Sequence, residues 1–186
     1  MSNLQVKIDN ALQAKIDEGS RNFKVGGVFS YQHIRNGEVI AEDVSPNIVV
    51  DEGLNYILDT SLSAGSQLVN FHIGIYSNNY TPQATDVMAT FAGAGVANEV
   101  TTLVDETTRV AWTEVGVVAK ALSNSASPAV FTANASVNVY GAFLSSDNTM
   151  AGTTGNLIAA SKFTAVRALL DTDVLNVTYT LTIADA

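Results

Sequence analysis

Hydrophobic and polar positions alternate with a period near two along most of this chain, and the period lengthens in two places. From residue 23 to residue 34 the alternation is that of a half-buried strand. Arg35-Asn36-Gly37-Glu38 then supplies an Asn-Gly pair, whose tolerance of positive φ makes a tight hairpin turn into a second strand over residues 39–44. Pro46 breaks that strand. Leu54, Ile57, Leu58 and Leu62 next recur at helical spacing, with Asp51 placed to cap the helix and a stop near Gly65. Apolar or alternating runs after it predict strands at residues 68–76, 99–104, 109–121, 129–136, 137–145, 157–166 and 175–183. Turn-rich pieces separate them at residues 77–79, 105–108, 123–128 and 146–156.

The other helical pattern opens the chain. Leu4, Ile8, Leu12 and Ile16 recur at spacing four with Ala11 on the same side, while Lys7, Asp9, Lys15 and Asp17 lie elsewhere. Asn3 can cap this segment and Gly19 can end it, which predicts an amphipathic helix over residues 4–18, although Val6 and Ile8 also fit a short strand. Such a stripe needs a surface, either its own domain or another subunit. The second is expected, with Leu4, Ile8, Leu12 and Ile16 as interface residues that tie neighbours together.

Strands in this number and spacing exclude a parallel α/β fold, which would need helices between its strands throughout, and predict a mainly β protein: an antiparallel β-sandwich or jelly roll with one short inserted helix. Its organisation is read as an N-terminal arm over residues 1–20 and a single β domain over 21–186. A length of 186 residues suits one such core.

Composition narrows the function. The chain is 47% hydrophobic and only 15% charged, so charges cannot cover its surface and extensive protein contacts are expected. A net charge of −9 repels nucleic acid and anionic membranes, and the nine basic residues form no run that could track phosphates. With no cysteine, disulfides, thiolate metal sites and a cysteine nucleophile are excluded. No stretch of eighteen apolar residues is present and the opening residues lack a signal-peptide core, so a protein made and kept soluble is expected.

Candidate chemistry is sparse. His33 and His72 are the two histidines, each within a predicted strand and without a second ligand at a metal-binding spacing, so both read as structural. No Gly-x-Ser-x-Gly elbow is present to join either to a serine nucleophile. Asp51-Glu52 sits at a helix start, where negative charge is favourable, and Asp105-Glu106 sits in a turn, so neither pair requires a catalytic explanation. Residues 91–96 resemble a phosphate loop only superficially, lacking Gly-Lys-Ser/Thr, and read as a flexible connection. Trp112, Tyr140, Phe143 and Phe163 fall in apolar strand patterns and read as core rather than as a sugar platform. No catalytic, cofactor-binding or metal-ligating residue is assigned, and a non-enzymatic protein without cofactors is expected.

Three stretches together resemble a family of tailed-bacteriophage virion proteins. The first is Asn47-Ile48-Val49-Val50-Asp51-Glu52-Gly53-Leu54-Asn55-Tyr56-Ile57-Leu58 with Phe71-His72-Ile73-Gly74-Ile75-Tyr76. Next comes Val139-Tyr140-Gly141-Ala142-Phe143-Leu144, running through Gly155-Asn156-Leu157-Ile158-Ala159-Ala160-Ser161-Lys162-Phe163. The last is Asp173-Val174-Leu175-Asn176-Val177-Thr178-Tyr179-Thr180. The resemblance implies a structural part of the virion, a head cement or decoration protein on the capsid exterior. Its implied partners are the major capsid protein and further copies of itself, as a dimer or trimer. A tail, baseplate or fibre-associated module is the alternative. No functional residue carries over, and the N-terminal segment lies outside the resemblance.

Overall fold

The computed structural model describes residues 23–185, so the arm expected over residues 4–18, with Leu4, Ile8, Leu12 and Ile16, lies outside the described residues. In chain order the elements are β1 (Phe23–Arg35), β2 (Glu38–Pro46), β3 (Ile48–Val49), α1 (Asp51–Leu62), β4 (His72–Tyr76), α2 (Met88–Phe91), β5 (Val110–Ala111), β6 (Ala121–Ser123), β7 (Ala129–Thr132), β8 (Val137–Ser145), β9 (Leu157–Leu169) and β10 (Val174–Asp185). They form two antiparallel sheets. The first has the order β2-β1-β10-β6, with β7 also on β10, and the second has the order β3-β9-β8-β4-β5. The mainly β, sandwich-like architecture expected from the pattern is therefore present.

Local chemistry sets the first hairpin. Asn36 and Gly37 take φ of 53° and 81°, the left-handed pair that a two-residue turn between twisted strands requires. Further along the first sheet, β6 pairs with residues 180–182 of β10 and β7 with residues 174–177, which leaves a gap between them. Asn124 fills it. Its fully buried side chain accepts from the Tyr179 N–H at 2.7 Å and donates to the Val177 carbonyl at 3.3 Å, standing in for the missing strand backbone.

The main core lies between the sheets. Phe29 stacks on Tyr179 with ring centroids 4.4 Å apart, Tyr31 meets Phe163 at 4.5 Å, and both pairs pack in one cluster with Ile73, Ile75, Val139 and Leu144 of the second sheet. The Trp112 indole N–H donates to the Tyr179 carbonyl at 3.0 Å, which ties the segment after β5 to the opposite sheet.

A second core covers the other face of the second sheet. Met88, Phe91, Ala92 and Ala97, from residues that run between β4 and β5, pack there on Tyr76, Phe143, Leu157 and Ala160. The register makes room for the rings: Gly74 is paired with Phe143 and Gly141 with Tyr76, so each aromatic lies over a glycine on the neighbouring strand. A Cβ on Gly141 would stand 2.2 Å from the Ser161 carbonyl oxygen and 2.4 Å from the Tyr76 ring. Gly141→Ala should therefore destabilise by about 1–3 kcal/mol through overpacking, the reverse of the usual gain on replacing a flexible glycine. A rise in thermal midpoint for this variant would contradict the packing.

Several strand expectations need correction. Residues 68–71 are not strand; β4 begins at His72, because the chain is still returning from α1, with the Leu68 N–H on the Tyr56 hydroxyl. Residues 99–104 make only isolated bridges, Glu99 to Tyr76 and Val104 to Ala133, since Glu99 is held by a side-chain ion pair. The run predicted at 109–121 is strand at Val110–Ala111 and again only from Ala121, where β6 begins, because the indole anchor at Trp112 redirects the chain between them. The strand expected to reach residue 136 ends at Thr132. Val50, not Asp51, is the N-cap of α1, Asp51 being in its first turn. That helix stops at Leu62, and its expected apolar face is only partly covered, with Leu58 and Leu62 50% and 84% exposed. Residues 91–96 are no loose connection at their start, where Phe91 and Ala92 belong to the second core.

Candidate functional site

Two buried ion clusters account for much of the charge inside the fold. Arg109 from the segment before β5 meets Glu99 in a fork: Nε donates to Oε1 at 2.8 Å and Nη2 to Oε2 at 2.9 Å, with both side chains at most 1% exposed. The guanidinium also donates to the Ser145 hydroxyl and to the carbonyls of Asp147 and Gly152, and the Ala151 N–H completes Glu99. Its carbon lies 5.2 Å from the Phe143 ring centre. This cluster clamps the loop between β8 and β9.

Asp173 organises the other cluster, at the start of β10. It contacts His33 Nε2 at 2.8 Å, accepts from Arg35 Nε and Nη2, and accepts the Leu170 N–H. The Arg35 guanidinium, with the Leu170 and His33 hydrogen bonds, holds the Asp173 carboxyl well below the usual carboxylate range. A carboxylate so saturated with donors stays ionised and serves as a clamp between β1 and β10, not as a proton donor.

The remaining sequence candidates do not converge. His72 begins β4, paired with Ala111 of β5 on one side and Ser145 of β8 on the other, with Nδ1 buried and unpaired, and burial pushes its pKa down. Glu52 accepts the backbone N–H groups of Met88 and Leu157, joining α1 to α2 and β9. Glu106 accepts the Thr132 N–H, and burial raises its carboxyl pKa. Phe143 and Phe163 are buried core residues, Trp112 is 7% exposed, and Tyr140 packs at the margin of the second core. Among the described residues, no group of three or more His, Asp or Glu is arranged to hold a metal ion. Nor is any helix among them long and apolar enough to cross a membrane.

What remains is a surface. Among the described residues the second sheet is covered on both faces and the first on one, because Phe29, Tyr31, Leu175, Val177 and Tyr179 alternate inward and their neighbours face out. The outward rows run Val44-Ser30-Thr178 and Glu42-Gln32-Asn176-Val130, flanked by Val28-Thr180-Ser123. Only Glu42 is charged in these rows. Val28, Val44 and Val130 are 36%, 54% and 43% exposed among small polar side chains. A depression of about 580 Å³ lies across them, bordered by Ser125 and Pro128 of the loop after β6.

Sequence reasoning singled out none of these surface residues. The alternation along β1 and β10 carried the signal, because beyond Lys24 near the start of β1 the outward polar positions are Ser, Thr, Asn and Gln where a solvated sheet face would carry Lys and Glu. Charge-poor faces of this kind suit contact with protein, since charged residues are depleted at the centre of interfaces. No known protein family matches the chain, and no curated protein does.

Proposed function

We propose that this chain is a structural subunit of a tailed-bacteriophage particle, a cement or decoration protein that binds the outside of the capsid and stabilises the major-capsid shell. The open, charge-poor face of the first sheet is the observation that carries the adhesive role. At about 4.8 Å per strand and 3.4 Å per residue, four strands offer roughly 20 Å by 30 Å, of the order of one standard contact of about 800 Å² per partner. A lattice of such contacts converts modest affinities into lasting attachment through effective concentration.

The resemblance supplies the particle. Its three stretches fall on β3-α1-β4, β8-β9 and β10, which include the strands that build both cores. The partners proposed are the major capsid protein and further copies of this chain, as a dimer or trimer. Nucleic acid and anionic membranes are disfavoured by the net charge of −9. The proposed role is non-enzymatic and needs no cofactor, and its place is the virion.

A tail, baseplate or fibre-associated module is the competing reading, favoured by the polar depression on the same sheet face. Copy number separates the two. Gel densitometry of purified particles should give a ratio to the major capsid protein approaching one for cement, against a few tens of copies or fewer for a tail part built as a small cyclic assembly. Cryo-electron microscopy that placed the chain only on the tail would overturn the head assignment.

A further inference from the structure

The two sheets do not end together. β1 and β10 pair out to Phe23 and Asp185, and along the inward-facing positions Val25 is paired with Ile183, beyond Leu181 and its partner Leu122. Core cover fades along this line: Tyr179 is fully buried, Leu181 half-buried and Ile183 43% exposed. Below the same end, a depression of about 450 Å³ opens between residues 67–71 and 111–114, with Leu122 at its margin. Among the described residues the first sheet thus overhangs the second, with Val25, Leu181 and Leu122 only partly covered at the margin of the core and Ile183 exposed beyond them.

The loop leading into β6 extends this surface. Val118 pairs with Ala121, which lies opposite Thr182, and the Ile183 N–H donates to the Lys120 carbonyl, so the loop sits at this same end. It carries Val115, Val117 and Val118 at 59%, 73% and 70% exposed. Three such valines on one short loop, beside a partly covered strand pair, form an apolar patch that a folded domain ordinarily covers.

The place where the described chain starts names the occupant. Residue 22 joins β1 at the tip of this overhang, and β6 lies two strands away, roughly 10 Å at the usual strand spacing. Residues 19–22 can span about 14 Å when extended, enough to turn the preceding residues back over the edge. Those residues carry Leu4, Ile8, Leu12 and Ile16 at helical spacing. A helix over residues 4–18 would be about 22 Å long, sufficient to cross the overhang and reach the valine loop. A tether this short holds the stripe near its own patch at an effective concentration of the order of millimolar.

We propose that the N-terminal segment docks on its own domain, laying Leu4, Ile8, Leu12 and Ile16 over Val25, Ile183, Leu122 and the valines of the loop before β6. Pattern alone favours a neighbouring subunit as the receiving surface; the exit point of β1 favours the nearer one. The contact forms in the isolated chain, with or without a particle.

The absence of cysteine makes the test clean. In the full-length chain, Val117→Cys is combined in turn with Leu4→Cys, Ile8→Cys, Leu12→Cys and Ile16→Cys, and treated with a short bismaleimide. At least one pair should cross-link within the monomer in most molecules, with a yield unchanged on dilution by about tenfold, as expected for a tethered reaction. Cross-linked dimers whose yield falls on dilution would assign the surface to a second copy's segment and overturn the proposal, as would the failure of all four pairs. In a second measurement, Val115→Ser, Val117→Ser and Val118→Ser are combined; these side chains are exposed, so the β domain should remain folded. Amide exchange across residues 4–18 should then quicken by about tenfold or more while the strands keep their protection. Unchanged exchange in that segment would equally overturn it.

Discussion

Replacing Glu99 by glutamine should destabilise the protein by about 3–5 kcal/mol, because it strands the Arg109 guanidinium, at most 1% exposed, without its counter-charge. For a domain of this size that corresponds to a fall in thermal midpoint of roughly 6–20 °C. Arg109→Met should cost a comparable amount for a different reason. It leaves Glu99 charged and buried, and it also removes the donor from the carbonyls of Asp147 and Gly152. Many buried ion pairs can be exchanged together for apolar residues with little loss. Here the double variant Glu99→Met with Arg109→Met should remain destabilised, since those two carbonyls and the Ala151 N–H lose their partners. Urea midpoints of the two single variants and the double variant measure the coupling. A double variant as stable as the parent would show that the cluster is an isolated pair and not the clamp of the loop between β8 and β9.

Asp173→Asn should weaken the protein by about 2–4 kcal/mol near neutral pH, the scale of losing charge-assisted hydrogen bonds to Arg35 and His33. The larger signature is its pH dependence. The folded-state pKa of Asp173 is depressed, so at acid pH the unfolded chain binds more protons than the folded one. The stability it contributes is fully present above the ordinary carboxylate value near ~3.9 and is lost as pH falls through the lower folded value. Parent and variant should therefore converge as the pH drops below about 4, with the difference widest above it. Asp43 and Asp147 are depressed as well, the first by the Thr164 hydroxyl and the second by the Thr149 N–H, so the variant keeps part of the acid limb. Two stability curves that stay parallel from pH 7 to the acid limit would refute the linkage to Asp173.

Elements fixed by local chemistry were legible in the residues. The Asn36-Gly37 hairpin needs only two positions that tolerate positive φ, and it forms where the pattern put it. β8 spans Val137–Ser145 as its apolar run predicts, because a strand buried on both faces shows as a continuous apolar stretch. The antiparallel sandwich follows from the same signal, since many short strands with too few helices among them to cover a sheet must bury their apolar sides mainly against each other.

Packing between distant segments set where those patterns break off. Residues 99–104 and 113–120 have strand-like sequences, yet a buried Arg109–Glu99 pair and the Trp112 indole on Tyr179 take the chain out of the ladders. Asn124 reads as a turn residue and serves as a piece of strand, because its amide mimics a peptide group where β6 and β7 fail to meet. His33 and Arg35 lie 140 and 138 positions from Asp173, a separation that no local pattern encodes. The candidate surface follows the same division. Alternation alone dictates that β1 and β10 each have an inner and an outer side. Which outer side the described residues cover was settled when residues 77–98 folded over the second sheet and not the first, an outcome of contacts between segments far apart in sequence.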